Sequence, residues 1–307
     1  MVFSVRVKLS KHILSVIMWF LLAGGVLLFI YADNIDGAPA FTDMATSGGT
    51  FNNTVSTDSN LTLNWYLHGW GNSSESPEGL VSTGLASVNG SCFLFGGYRL
   101  TASGNVSVNE TWVFDSRVGA WRNITTGTQP PARDSHILVA LNDSLLLFGG
   151  EFRDDYLGLY QLLNDTWTYS LSTNTWSETF PSTPPPARHS HAAAVSRNST
   201  VLLFGGFDGA ALEDTWIYFP GNNSWHQILG SPSPPARYGH TMAAVGDIAV
   251  LYGGTDGSGD LTDTWIFNFN TLSWQNITTT AGGPPTTSVY AAMSGLGPYS
   301  PNIVLFG

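Results

Sequence analysis

One phrase recurs four times along this chain: a tryptophan and, nine residues on, a second tryptophan. The copies are "NETWVFDSRVGAW" (Asn109 to Trp121), "NDTWTYSLSTNTW" (Asn164 to Trp176), "EDTWIYFPGNNSW" (Glu213 to Trp225) and "TDTWIFNFNTLSW" (Thr262 to Trp274). The pairs are Trp112 with Trp121, Trp167 with Trp176, Trp216 with Trp225, and Trp265 with Trp274. The second tryptophans are separated by 55, 49 and 49 residues. A period of that length marks a repeat architecture and excludes most folds before any residue is read singly.

The phrase belongs to a longer unit. "PPAR" precedes three of the copies and ends at Arg133, Arg188 and Arg237, with a histidine three residues on at His136, His191 and His240. An apolar run then closes on a double glycine: Gly149–Gly150, Gly205–Gly206 and Gly253–Gly254, with an earlier copy at Gly96–Gly97. Each unit reads as four short strands, exemplified by "SHILVAL", "SLLLFGG", "DTWTYS" and "NTWSET", rich in β-branched and aromatic residues and bounded by turn formers. A separation of nine is odd, so the two tryptophans are expected opposite each other on one sheet face. The double glycine is expected where a side chain would clash or forbid the backbone angle. The proline pair keeps the crossover extended. A four-stranded sheet of this size cannot cover both faces alone, and radial stacking buries them.

The double glycine, the acidic-Thr-Trp third strand, the fourth-strand tryptophan and the "R-x-x-H" opening together resemble the Kelch repeat, over roughly residues 60 to 307. The resemblance implies an all-β, Kelch-type β-propeller of four-stranded blades, with the first strand of each lining a central channel. Blades are expected at roughly 80–125, 132–180, 187–229 and 236–278, with part of a fifth at 286–307: an incomplete ring. Trp65 in "LNWYLHGW" matches a second tryptophan, so residues 60–68 are expected to supply an outer, ring-closing strand. "PEG" replaces "PAR" there, which sets Ser82 at the histidine position. In the fifth unit Thr287 and Tyr290 stand where Arg and His belong. The whole reads as the N-terminal part of a six- or seven-bladed ring, with an open sheet edge.

Residues 1–32 pose a separate problem. Arg6, Lys8 and Lys11 precede an uncharged run from Ile13 to Tyr31. As a helix it would span about 28 Å, enough for a bilayer core. The charge asymmetry puts the N-terminus in the cytoplasm and the rest across the membrane. Two readings stand: a retained signal-anchor helix, or a signal peptide cleaved near "APA" at Ala38 to Ala40. Residues 33–59 read as a linker. Either reading sends the protein into the secretory pathway, to the cell surface or outside it, with membrane contact through the N-terminal segment if it is uncleaved.

The remainder supports export. Beyond Lys11 there is no lysine, and eight arginines against 22 acidic residues leave a formal charge of −14. Such a surface repels nucleic acid and anionic lipid. Acceptors of the form N-x-[ST] occur at Asn52, Asn60, Asn72, Asn89, Asn105, Asn123, Asn142, Asn198, Asn222 and Asn276, and also inside the repeated phrase at Asn109 and Asn164. They mark a glycoprotein. Cys92 is the sole cysteine, so no disulfide forms within the chain. It reads as a buried thiol or as the partner of a cysteine elsewhere.

Repeated arginines and histidines invite a catalytic or metal reading. A structural one fits better: arginine paired with the acid of the third strand (Asp165, Asp214, Asp263 or Glu110) or with strand-end carbonyls. His189 beside His191 reads as an exposed residue or a metal ligand. Asp256, Ser258 and Asp260 resemble the start of a calcium loop, or a tight turn. The corresponding loop Glu151 to Asp165 is several residues longer, and Arg153, Asp154, Asp155, Tyr156 and Tyr160 on it are the expected partner contacts.

The expected function is a non-catalytic extracellular module, similar in setting to attractin-like surface proteins. It would bind a protein or a glycan through its loops and need no cofactor. The alternative is a metal-dependent Kelch-type enzyme. A copper oxidase similar to galactose oxidase would need Cys92 crosslinked to a tyrosine. An iron-dependent specifier-like protein would use Glu151 and Asp155, with Leu159 in place of its histidine.

Overall fold

The computed structural model describes residues 2–8, 17–22, 26–31, 62–68, 76–77, 79–115, 119–230, 232–279, 289–295 and 303–306. Among them the architecture is all-β. Four sheets of four antiparallel strands follow one another in chain order. Blade one is Gly84–Val88, Ser91–Phe95, Thr111–Asp115 and Ala120–Asn123. Blade two is Ile137–Ala140, Ser144–Phe148, Thr166–Ser170 and Thr175–Thr179. Blade three is Ala192–Val195, Val201–Phe204, Thr215–Phe219 and Ser224–Ile228. Blade four is Thr241–Val245, Ile248–Tyr252, Thr264–Asn268 and Ser273–Asn276. Ala292–Gly295 and Ile303–Phe306 pair as a two-stranded sheet after them. The first strands lie side by side, each against the next.

The core sits between blades rather than within them. Phe93 and Phe95 of blade one cluster with Leu145, Leu147, Trp167 and Trp176 of blade two. Blades two and three share Leu146, Phe148, Leu203 and Trp225. Blades three and four share Leu202, Phe204, Leu251 and Trp274. The central strands are apolar on both faces because each face meets a different neighbour.

The two tryptophans of a phrase share a face but do not oppose each other. Trp176 stands opposite Tyr169, and Trp167 opposite Glu178. A left-handed residue closes the intervening turn, at Gly119, Asn174, Asn223 and Leu272. In blade two its N–H returns to the Ser170 carbonyl, which moves the turn one residue along the chain and offsets the indoles by two. The offset serves packing. Trp176 meets Tyr169 in its own blade (5.2 Å) and Phe95 in the preceding one (5.1 Å). Its indole N–H donates to Thr111 of that preceding blade at 3.0 Å. Trp274 repeats the bond with Thr215 at 2.9 Å.

The N-terminal helix is not found. Val2–Lys8, Ile17–Leu22, Val26–Tyr31 and Thr62–His68 are strands of one sheet, with Thr62–His68 at its edge. An uncharged run fits a strand as well as a helix. Among the described residues no helix is long and apolar enough to cross a membrane. The linker 33–59, the sites Asn52, Asn60 and Asn72, and Thr287 lie outside the described residues.

Candidate functional site

Two kinds of residue gather where the double glycines end: those that repeat and those that do not. The repeating set comes first. Arg188 is fully buried. It donates to Asp214 Oδ1 at 2.5 Å and Oδ2 at 2.7 Å, to the Gly205 carbonyl at 3.1 Å and to the Pro186 carbonyl at 3.0 Å. The Trp216 indole N–H caps the same carboxylate at 2.6 Å. Arg133 with Asp165 and Trp167, and Arg237 with Asp263 and Trp265, repeat this set. Burial alone would raise these aspartates. The arginine fork and the indole outweigh it and hold all three below the ordinary carboxylate range. Blade one has no such arginine, and Glu110 pairs instead with Arg99 at 2.8 Å, while Trp112 donates to it at 3.0 Å.

Each arginine also ties its blade to the one before. Its carbonyl accepts from the second glycine there: Gly97 to Arg133, Gly150 to Arg188, and Gly206 to Arg237, all at 2.9 Å. The first glycine has no room either. A Cβ on Gly96 would stand 2.5 Å from the Arg133 carbonyl, and one on Gly205 2.6 Å from that of Arg237. Gly253 and Gly254 are left-handed like the other pairs.

Between arginine and histidine lies a left-handed residue whose N–H reaches the preceding blade. Ser135 donates to Ser82, Ser190 to Ser135, Gly239 to Ser190, and Tyr290 to Gly239, at 2.7–3.0 Å. This chain of bonds corrects two alignments. Ser82 is the equivalent of Ser135, so Thr83 takes the histidine position. Tyr290 is likewise the bonded residue, so Ala291 follows at the histidine position. In both units the proline spacing misleads by one residue.

His136, His191 and His240 are buried beside the channel, edge-on to Phe95, Phe148 and Phe204 of the preceding blades at 5.6 Å. Their ring nitrogens lack a hydrogen bond of good geometry. Burial, then the nearby arginine, lowers His136 and His240 to about 3 and His191 well below its usual value. They are neutral packing groups.

The non-repeating set forms the channel mouth. The residue after each arginine pairs with the residue after each double glycine: Asp134 with Glu151, His189 with Phe207, Tyr238 with Thr255, and, in blade one, Val81 with Tyr98. These positions change chemistry from blade to blade. The first strands and this rim line a cavity of about 800 Å³. Asp134 is 1% exposed and accepts from the Ser107 hydroxyl at 2.8 Å and the Ser135 hydroxyl at 2.9 Å. Burial, with the neighbouring Glu151 charge, pushes it up to about 6. Glu151 is 2% exposed, and one of its oxygens pairs with Arg153. Its other oxygen, Oε2, has no hydrogen bond of good geometry, the nearest His189 nitrogen being 3.7 Å away, and the Tyr160 hydroxyl approaches the same carboxylate. His189 is half-buried, not exposed, and burial lowers it. It bonds Ser190 at 2.9 Å and packs on Phe207.

Above the mouth the long loop is a hairpin. Glu151–Asp154 pairs with Leu159–Leu162 and, through Gly104–Ser107 and Tyr98–Thr101, forms a five-stranded sheet spanning blades one and two. The expected contact residues divide. Arg153 turns to the mouth, its guanidinium 5.9 Å over the Tyr98 ring. Asp154 accepts from Leu157, and Asp155 fixes the neighbouring hairpin through Asn105 at 2.7 Å. The tip is apolar and open: Leu100, Tyr156, Leu157, Leu159 and Tyr160 are all at least half exposed.

The other candidates fall elsewhere. Asp256 is the acceptor of a closed turn, bonded to Ser258 and Gly259. Cys92 is fully buried, and burial raises its thiol well above the usual value. Glu151 opens the strand Glu151–Asp154 and Asp155 follows its far end. Among the described residues no three His, Cys, Asp or Glu side chains are placed to hold a metal ion. Asn89, Asn123, Asn142, Asn164, Asn198, Asn222 and Asn276 are exposed, while Asn105 and Asn109 are half-buried.

Comparison with known proteins agrees with this geometry. Residues 42–236 match the family described as the KLHDC2/KLHL20/DRC7 Kelch-repeats domain, and residues 236–280 match the Kelch motif. Kelch domain-containing protein 2 of Bos taurus is 33% identical over 42% of this chain and 30% of its own length. Acyl-CoA-binding domain-containing protein 6 of Oryza sativa subsp. japonica is 32% identical over 40% of this chain and 18% of its own. Multiple epidermal growth factor-like domains protein 8 of Homo sapiens is 31% identical over 37% of this chain and 4% of its own. The matched region spans less than a third of each of these relatives.

Proposed function

The chain belongs to the Kelch-repeat family, whose repeats generally mediate protein binding, and we propose that it is a non-catalytic module that binds a protein through the hairpin face. The observation that carries this is the five-stranded sheet above the channel, with Leu100, Tyr156, Leu157, Leu159 and Tyr160 exposed on it. Apolar and aromatic side chains exposed at a loop tip are what an interface core requires. The strand Leu159–Leu162 is moreover a sheet edge, able to accept an extended segment. The opposite end of the blades differs. Asn89, Asn142 and Asn198 are exposed in the turns between first and second strands, at the ends remote from the double glycines. Glycans there would leave the hairpin face free. The same acceptors, with the charge asymmetry around Ile13 to Tyr31, support a secretory-pathway location. A glycan ligand is the competing reading, through the aromatics of the same face.

The test is selection of binders from a displayed peptide library against the protein, followed by binding to two variants. Tyr156→Ser with Leu157→Ser should abolish most selected interactions, whereas Asn142→Ser on the opposite face should leave them intact. Binders indifferent to the hairpin change refute this assignment of the face.

A further inference from the structure

The oxygen Glu151 Oε2 is an acceptor in the wrong place for a purely structural residue. It is buried, it lines the cavity rim, and it has no hydrogen bond of good geometry, the Tyr160 hydroxyl being the one further donor that approaches this carboxylate among the described residues. A buried carboxylate oxygen without a partner costs free energy that the fold gains nothing from. The charges around it do not balance. Asp134 and Glu151 face one cation, Arg153, whose guanidinium is engaged with the other Glu151 oxygen. His189 is neutral there, since burial lowers it. One negative charge at the mouth is left uncompensated.

We infer that the channel mouth receives the ammonium or guanidinium of a lysine or arginine side chain, carried on a polypeptide bound to the hairpin face and hydrogen-bonded to Glu151 Oε2. This rests on the reading of that face as a protein-binding surface and specifies what it recognises. The surrounding groups suit an organic cation. Tyr98 lines the cavity with the carboxylates and Phe207 packs on the neighbouring His189; aromatic faces attract cations. Arg153 already illustrates the chemistry within the chain, one guanidinium shared between Glu151 and the Tyr98 ring. A hard metal ion would need several oxygen ligands converging on one point, a grouping absent among the described residues. The cavity of about 800 Å³ opens at this rim, with space for a long side chain.

The experiment uses three fluorescein-labelled peptides of sequence Gly-Gly-X-Gly-Gly, with X lysine, Nε-acetyl-lysine or norleucine, and spermidine as a free-amine competitor. Fluorescence anisotropy is read on the wild type, on Glu151→Gln, on Glu151→Asp and on Tyr156→Ser with Leu157→Ser. The lysine peptide should bind roughly tenfold more tightly than the other two, the effect of one charge-assisted hydrogen bond. Glu151→Gln should remove that preference and Glu151→Asp should restore part of it, with thermal melts verifying that each variant is folded. The hairpin variant should keep the lysine preference while losing library-selected partners, which separates this inference from the broader one. Equal affinity for lysine and norleucine overturns it. So does a lysine preference that survives Glu151→Gln, or absence of lysine binding to the folded wild type. Competition by spermidine with an affinity above that of the lysine peptide would reassign the site to free polyamines.

Discussion

Arg188 and Asp214 form a two-pronged ion pair in which the arginine is fully buried and the aspartate half-covered, sealed by the Trp216 indole. Asp214 immediately precedes the third strand and Arg188 lies in the crossover ahead of the first, so the pair ties the inner and outer halves of one blade. Removing one partner strands the other in a dry place. Arg188→Met should therefore destabilise the protein by about 3–5 kcal/mol in urea unfolding. A double change to Met and Leu should recover part of that loss. An unaltered midpoint for Arg188→Met would show that the pair carries no stability.

The buried histidines set a dependence on pH. His136, His191 and His240 are all lowered in the folded protein, so the unfolded chain takes up protons first as pH falls below about 6.5. Stability is complete above that value and declines beneath it, by up to about 1.4 kcal/mol per pH unit for each histidine. Asp134, raised to about 6, acts in the opposite sense between that value and about 4, as one group against three. The melting temperature should drop clearly from pH 7 to pH 5. A flat or rising profile would mean that the imidazoles are solvated.

The second glycine of each pair admits no side chain. At Gly150 φ is +96° and a Cβ would lie 2.6 Å from the Asp134 carbonyl. Gly150→Ala should cost several times the ~1 kcal/mol of an ordinary glycine replacement. Gly127→Ala is the matched control, with nothing within 4 Å of its Cβ. Comparable melting temperatures for the two variants would remove the close approach as the reason for the double glycine.

Secretory expression bears on the surface assignment. Enzymatic removal of N-glycans from protein made in a eukaryotic secretory system should lower its mass, with peptide mapping finding the modified sites at Asn89, Asn142 and Asn198 among others. Glycans concentrated on the hairpin face instead would bury the surface assigned to partners.

What was readable in the sequence is what repeats. The arginine of "PPAR" and the aspartate of "DTW" predict their own pairing, because two opposite charges kept in step over three units are held to one geometry. Opposition of the tryptophans was not readable correctly, since the register depends on where a left-handed residue such as Asn174 closes the turn. Proline spacing placed Ser82 and Tyr290 one residue too far along, because the crossover length varies while the blade-to-blade bonds of those residues do not. The uncharged run Ile13 to Tyr31 has no periodicity to separate strand from helix. The mouth itself escaped for a simple reason: Asp134, Glu151, His189 and Phe207 occupy positions that obey no pattern. Divergence at the residue after arginine, and at the residue after the double glycine, was the signal to follow.

If repeated residues hold the blades together and the divergent rim makes the site, the two classes must differ in stability. The most direct test is the urea midpoint of Glu151→Gln measured beside the wild type. Glu151 is nearly as buried as the repeating arginines, yet the midpoint should be unchanged or higher, since the change neutralises a carboxylate with an oxygen that lacks a hydrogen bond of good geometry. A fall of several kcal/mol, like that expected for Arg188→Met, would contradict it and make the rim carboxylate one more strut of the fold.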